Sequence, residues 1–162
     1  MIYFAERQAF YKNSLAWLVV PGMLFPLLIA GSKAITQGLS SWIDYIYLLA
    51  VELILFALMF MCKLETRIDS LGIRYRLFPF QIKYRYVEWS FISSAYVRKY
   101  HPLAEYWGWG IKGTRKNRAI NIAGDVGLQL VLKNGRKLLI GTLQQEKMEA
   151  VVQKIHSANL IK

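Results

Sequence analysis

The chain has little with which to close a disulfide or hold a metal: one cysteine, Cys62, in 162 residues. A single thiol cannot bridge within the chain, and no Cys/His cluster has metal-ligand spacing, so neither a metal nor a cofactor is expected. Cys62 reads as a small apolar residue rather than a reactive thiol. Acid is scarce too, with 10 Asp and Glu against 21 Lys and Arg. The acids beyond Cys62 have no paired spacing, and no nucleophile stands beside a base in a recognisable motif, so an enzyme is not expected.

What the chain has is apolar residues, 55% of the total, above the usual share for a soluble domain. They are concentrated in two runs. Leu15 to Ala30 carries no charge and falls slightly short of the roughly 20 residues that cross a bilayer. Extension from Ser14 to Ile35 reaches that length if Lys33 snorkels. Trp42 to Cys62 is long enough by itself, with Trp42, Tyr45 and Tyr47 suited to an aromatic belt. The small polar link Gly31 to Ser41 suits a tight turn. These features predict a transmembrane hairpin with spans at about 14–35 and 42–62. Glu52 falls near mid-span, where a carboxylate usually faces another helix; it is the candidate membrane-helix contact.

Charge divides the chain at the same place. Up to Cys62, Arg7, Lys12 and Lys33 balance Glu6, Asp44 and Glu52, so the whole net charge of +11 lies beyond it. Lys63 and Arg67 after the second run, with Arg7 and Lys12 before the first, favour both termini in the cytoplasm. The N-terminal stretch spaces Tyr3, Phe10 and Trp17 as a heptad. It suits a short interfacial helix or an extension of the first span.

From Leu64 the apolar period becomes two. Ile73, Tyr75 and Leu77, then Tyr84 and Tyr86, then Leu128, Leu130 and Leu132 alternate with other residues as in half-buried strands. Ser70-Leu71-Gly72 reads as a turn, and Asn134-Gly135 as a type I′ hairpin. Lys137 to Ile140 forms the strand that follows. Thr142 and Gln145 form a capping box ahead of Met148, Val151, Val152 and Ile155 at helical spacing. The division expected is 1–63 for the N-terminal segment and hairpin and 64–162 for a soluble domain, α+β in class.

Trp107-Gly108-Trp109-Gly110-Ile111 and Leu138-Leu139-Ile140-Gly141-Thr142, with the segment Ile68 to Phe80, resemble bacterial membrane proteins with a PH-like (pleckstrin-homology-like) domain. The resemblance implies a transmembrane hairpin followed by a split β-barrel of about seven antiparallel strands closed by a C-terminal helix. It implies no activity, since fold alone does not give function. Gly108 to Gly113 matches G-x-G-x-x-G in letters only: a basic turn follows where a dinucleotide fingerprint needs a helix.

Lys112, Arg115, Lys116 and Arg118 are the densest basic cluster and the anionic-ligand candidates; Arg98, Lys99 and His101 form a weaker group. No recognition helix or RNP-like motif supports nucleic acid. The function expected is a membrane-tethered, non-enzymatic binding or scaffold module at the cytoplasmic face of the bacterial inner membrane, multi-pass. Its expected partners are the lipid bilayer, anionic headgroups, and a membrane protein or a second copy of the chain. The alternative is a structural subunit of a membrane complex assembled through the hairpin.

Overall fold

The computed structural model describes residues 2–13, 17–37 and 39–161. Residues 14–16, at the start of the first expected span, and Gly38 of the expected link lie outside them. The chain divides into two units: Met1–Ala9 with Lys63–Lys162, and Phe10–Cys62 between them.

In the first unit, β1 (Ile2–Ala9), β2 (Lys63–Asp69), β3 (Gly72–Phe78) and β4 (Arg85–Glu88) form an antiparallel sheet in that order. The N-terminal stretch is therefore a strand, neither of the two forms its heptad suggests. Its period is two in burial: Phe4, Glu6 and Gln8 are buried, while Ala5 and Arg7 are exposed. β1 is completed from the far side of the insert, with Ala9 opposite Lys63 and Arg7 opposite Glu65. The insert thus leaves and re-enters the sheet at one rung of one ladder.

A second sheet holds β5 (Ile92–Lys99), β6 (Gly110–Gly113), β7 (Asn117–Asn121), β8 (Val126–Leu132) and β9 (Lys137–Gly141), in the order β5-β8-β9-β7-β6. Here β7 and β9 run parallel, from Asn117 opposite Lys137 to Ile120 opposite Ile140. The expected PH-like split barrel of about seven antiparallel strands is thereby corrected. There are two separate sheets of four and five strands, not closed into a barrel. Two further departures are a strand contributed from ahead of the insert and a parallel rung in the second sheet. The resemblance to a PH-like domain does not hold at the level of fold.

Leu64, Ile68, Ile73 and Leu77 of the first sheet and Leu128, Leu130 and Ile140 of the second are essentially without exposure, while Leu139, on the opposite face of β9 from Ile140, clusters with Tyr100, Tyr106 and Ala119. Two helices accompany the strands, the short α3 (Pro102–Tyr106) and the C-terminal α4 (Gln145–Ser157). Met148, Val151, Val152 and Ile155 are the buried face of α4. The Thr142–Gln145 capping box does not form. The Thr142 hydroxyl instead donates to Glu6 at 2.7 Å and accepts from the Gln144 N–H at 3.1 Å. The Asn134-Gly135 turn is not type I′, since only Gly135 has a positive φ, 78°. Gly135 N–H donates to Leu132 O and Arg136 N–H to Asn134 Oδ1. This is a three-residue loop with glycine in the left-handed position.

The second unit holds two helices, α1 (Val19–Gln37) and α2 (Leu39–Met61). The described residues of the expected polar link are helical, in α1 up to Gln37 and in α2 from Leu39, and Ser32 and Thr36 turn their hydroxyls back onto the carbonyls of Ile29, Ser32 and Lys33. Among the described residues one helix is long and apolar enough to cross a membrane, over the 20 residues Trp42–Met61. In α1 the apolar stretch, Val20–Lys33, is shorter, with Pro26 inside it and polar residues after Gly31. The two-span transmembrane hairpin is therefore corrected to a single helix of spanning length. The multi-pass inner-membrane localisation with both termini cytoplasmic falls with it. At the neck of this unit Phe10 N–H donates to Cys62 O at 3.0 Å. Beside it Phe60 stacks on Tyr11 and meets the edge of Trp17.

Candidate functional site

The basic cluster lies on the β6–β7 hairpin. Lys112 stands opposite Ala119, and Arg118 opposite Gly113. Thr114 N–H donates to Asn117 O at 2.9 Å and closes the turn that carries Arg115 and Lys116 outward. Gly113 is required here: its φ is 82°, and a Cβ would meet the Asn117 carbonyl oxygen at 2.2 Å.

The parallel pairing of β7 with β9 sets the β8–β9 hairpin beside this turn. Arg136 Nε donates to Arg115 O at 3.1 Å, and Lys137 N–H to Lys116 O at 2.7 Å. Lys133 and Arg136 are thus added to Arg115 and Lys116, all exposed. Arg85 of β4 stands opposite Tyr75 of β3. Burial pushes the Tyr75 hydroxyl up from its ordinary pKa, and the fields of Arg85, Arg118 and Arg136 oppose that rise. Among the described residues none of Arg85, Arg115, Lys116, Arg118, Lys133 and Arg136 is in an ion pair with an acid. Like charges gathered without counter-charge repel, and an anion relieves them.

Other cations are already engaged. Arg98 grips Glu105, Nη2 to Oε2 at 2.7 Å and Nη1 to Oε1 at 3.2 Å. That bond from Arg98 holds the Glu105 carboxyl below its ordinary range, so the Arg98, Lys99 and His101 group centres on an internal pair. On the outer face of the first sheet Glu65 accepts from Arg76 and from the Tyr84 hydroxyl and lies 3.3 Å from Arg7. Arg67 and Arg76 both lie over the Tyr84 ring.

The glycine-rich segment is structural. Trp109 Nε1 donates to Gly124 O, and Gly110 N–H to Asn121 Oδ1. Asn121 Nδ2 in turn donates to the Tyr100 hydroxyl at 2.9 Å. Glu52 sits half-buried on α2, and its Oε2 has no hydrogen-bond partner among the described residues. Glu52 belongs to the unit Phe10–Cys62 and the basic cluster to the other. Among the described residues no three His, Cys, Asp or Glu converge to hold a metal ion.

Lys133 and Arg136 were legible only as a hairpin turn. Their place beside Arg115 depends on a parallel rung that strand periodicity does not reveal. Comparison with family models, with curated proteins and with solved structures finds no match to this chain.

Proposed function

We propose that the chain is a non-enzymatic binding module attached to a lipid bilayer by its apolar insert, and that the basic end of the five-stranded sheet takes an anionic headgroup there. The observation that carries the reading is the set of cations on two adjoining hairpin turns, without ion-pair partners among the described residues. Attachment is supported by α2, whose apolar side chains, Ile43, Ile46, Leu53 and Ile54 among them, are exposed. Aromatic residues stand at both its ends, Trp42 with Tyr45 at one and Phe60 with Trp17 at the other, as interfacial anchoring favours. Tethering would raise the effective concentration of the basic end at the headgroups, so a weak contact suffices.

The test is a competition between neutral phosphatidylcholine vesicles and vesicles containing phosphatidylglycerol. The full chain is expected to favour the anionic vesicles, by about fivefold for each basic residue engaged, since each contributes about 1 kcal/mol. Arg115→Gln/Lys116→Gln/Arg136→Gln should remove that preference while still binding both vesicle types. Equal partition of the unaltered chain would discard headgroup binding.

A second reading rests on Glu52. A carboxylate oxygen without a partner on an apolar helix favours assembly with another helix that supplies the donor. Glu52→Gln changing the co-purifying species in mild detergent would favour this reading; unchanged species would remove it.

A further inference from the structure

We infer that the β3–β4 turn is a second lipid contact: Phe80 and Ile82 enter the interfacial layer of the bilayer to which the insert attaches. The inference rests on the bilayer reading above and adds a site to it.

Three observations carry it. The first is exposure by construction. Phe80 is 68% and Ile82 76% exposed, yet the turn between them is fixed. Gln81, itself buried, donates its N–H to Leu77 O at 2.7 Å and accepts from Leu77 N–H through Oε1 at 3.1 Å. Arg76 Nη1 holds the Ile82 carbonyl at 3.2 Å. The polar residue of the turn faces inward and the two apolar ones face outward, the reverse of what water selects.

The second is position. Phe78 stands opposite Lys63, and Lys63 opposite Ala9. The turn therefore projects from the end of the four-stranded sheet at which the chain departs into the apolar insert and returns from it. The third is charge. Lys83 lies in the turn and Arg85 opens β4 just after it, both exposed and outside any ion pair among the described residues; Lys63 stands at the same end, opposite Phe78. At the opposite end of the same sheet lie Asp69 and Glu88, with Glu88 opposite Gly72 and Asp69 paired with Arg74. A sheet with cations and bulky apolar residues at its insert end and acids at the other is polarised toward an anionic, amphipathic layer.

The sheet supplies its own control. Leu71, in the β2–β3 turn, is 65% exposed and lies about 20 Å from the insert end, at about 3.3 Å per residue along β2. In a Cys62→Ser background, Phe80→Cys, Leu71→Cys and Ile54→Cys are each labelled with an environment-sensitive fluorophore. The full chain is then reconstituted into phosphatidylcholine–phosphatidylglycerol vesicles. Expected are a blue shift and quenching by lipids spin-labelled near the headgroup for the probe at position 80, and an aqueous spectrum at 71. A probe at 80 that behaves as at 71, whether both are aqueous or both embedded, overturns the inference. The probe at 54, on the exposed face of α2, separates the two claims. Embedded at 54 but aqueous at 80, the attachment reading stands and this inference fails; aqueous at both, both fail.

Discussion

Glu6 and Thr142, 136 positions apart, share a buried hydrogen bond of 2.7 Å. The same carboxylate accepts the Leu143 N–H at 2.9 Å, and next to it Gln8 Nε2 donates to Gly141 O at 2.8 Å. β1 is thus fastened both to β2 by its ladder and to the end of β9 by its side chains. Glu6→Ala leaves the Thr142 hydroxyl and the Leu143 N–H without their acceptor. The expected loss is about 3 kcal/mol of stability in the β unit, measured by thermal unfolding followed through tryptophan emission. Glu6→Gln, which keeps an acceptor oxygen, should lose less.

Glu65 makes stability depend on acid. Burial raises its pKa, but hydrogen bonds from Tyr84 and Arg76 and the fields of Arg76 and Arg7 outweigh burial, and the net shift is downward. A carboxyl lowered in the folded state contributes stability above its unfolded pKa, and that stability is lost as pH falls through the folded value. Melting temperature should therefore decline on acidification below about pH 4.5. Glu65→Gln should flatten that limb while lowering the plateau near neutrality.

Tyr100 works at the other end of the scale. Burial is the main cause that takes its hydroxyl up to about 12, despite the hydrogen bond from Asn121. A group raised in the folded state gives stability that is complete below its unfolded pKa and disappears as pH rises through the folded one. Stability should fall between pH 10.0 and about 12, and Tyr100→Phe should reduce that alkaline loss. The same variant leaves Asn121 Nδ2 unpaired in the core, which costs about 1–3 kcal/mol at neutral pH.

Gly135 occupies the left-handed region at φ 78° with no neighbour within contact of an added Cβ. Only backbone strain opposes substitution there. Gly135→Ala should cost about 1 kcal/mol, seen as a small fall in melting temperature. Retained anionic-vesicle preference in this variant would show that Lys133 and Arg136 tolerate a slightly altered turn.

The legible parts of the fold were those in which burial alternates locally. Ile73, Tyr75 and Leu77 lie on β3, Leu128 and Leu130 on β8, and Met148 to Ile155 on α4, as their spacing suggests. What escaped depends on partners distant in sequence. β1 holds Glu6 and Gln8 on its inner face, and two polar residues in a core break the alternation that marks a strand; their acceptors and donors lie beyond residue 140. The parallel rung of β7 with β9 follows a crossover that no periodicity encodes. Apolar composition overstated α1, where Pro26, Ser32 and Lys33 interrupt a run that its neighbour Trp42–Met61 sustains. Of the candidate site, the residues of one turn were legible as a cluster; Arg136 joins it only in three dimensions.

Sedimentation of the full-length chain from a detergent-free lysate tests bilayer attachment most directly. The account predicts that the protein pellets with membranes after ultracentrifugation, remains there through washes in high salt, and is released by detergent. Recovery as a dispersed monomer in the supernatant would contradict it.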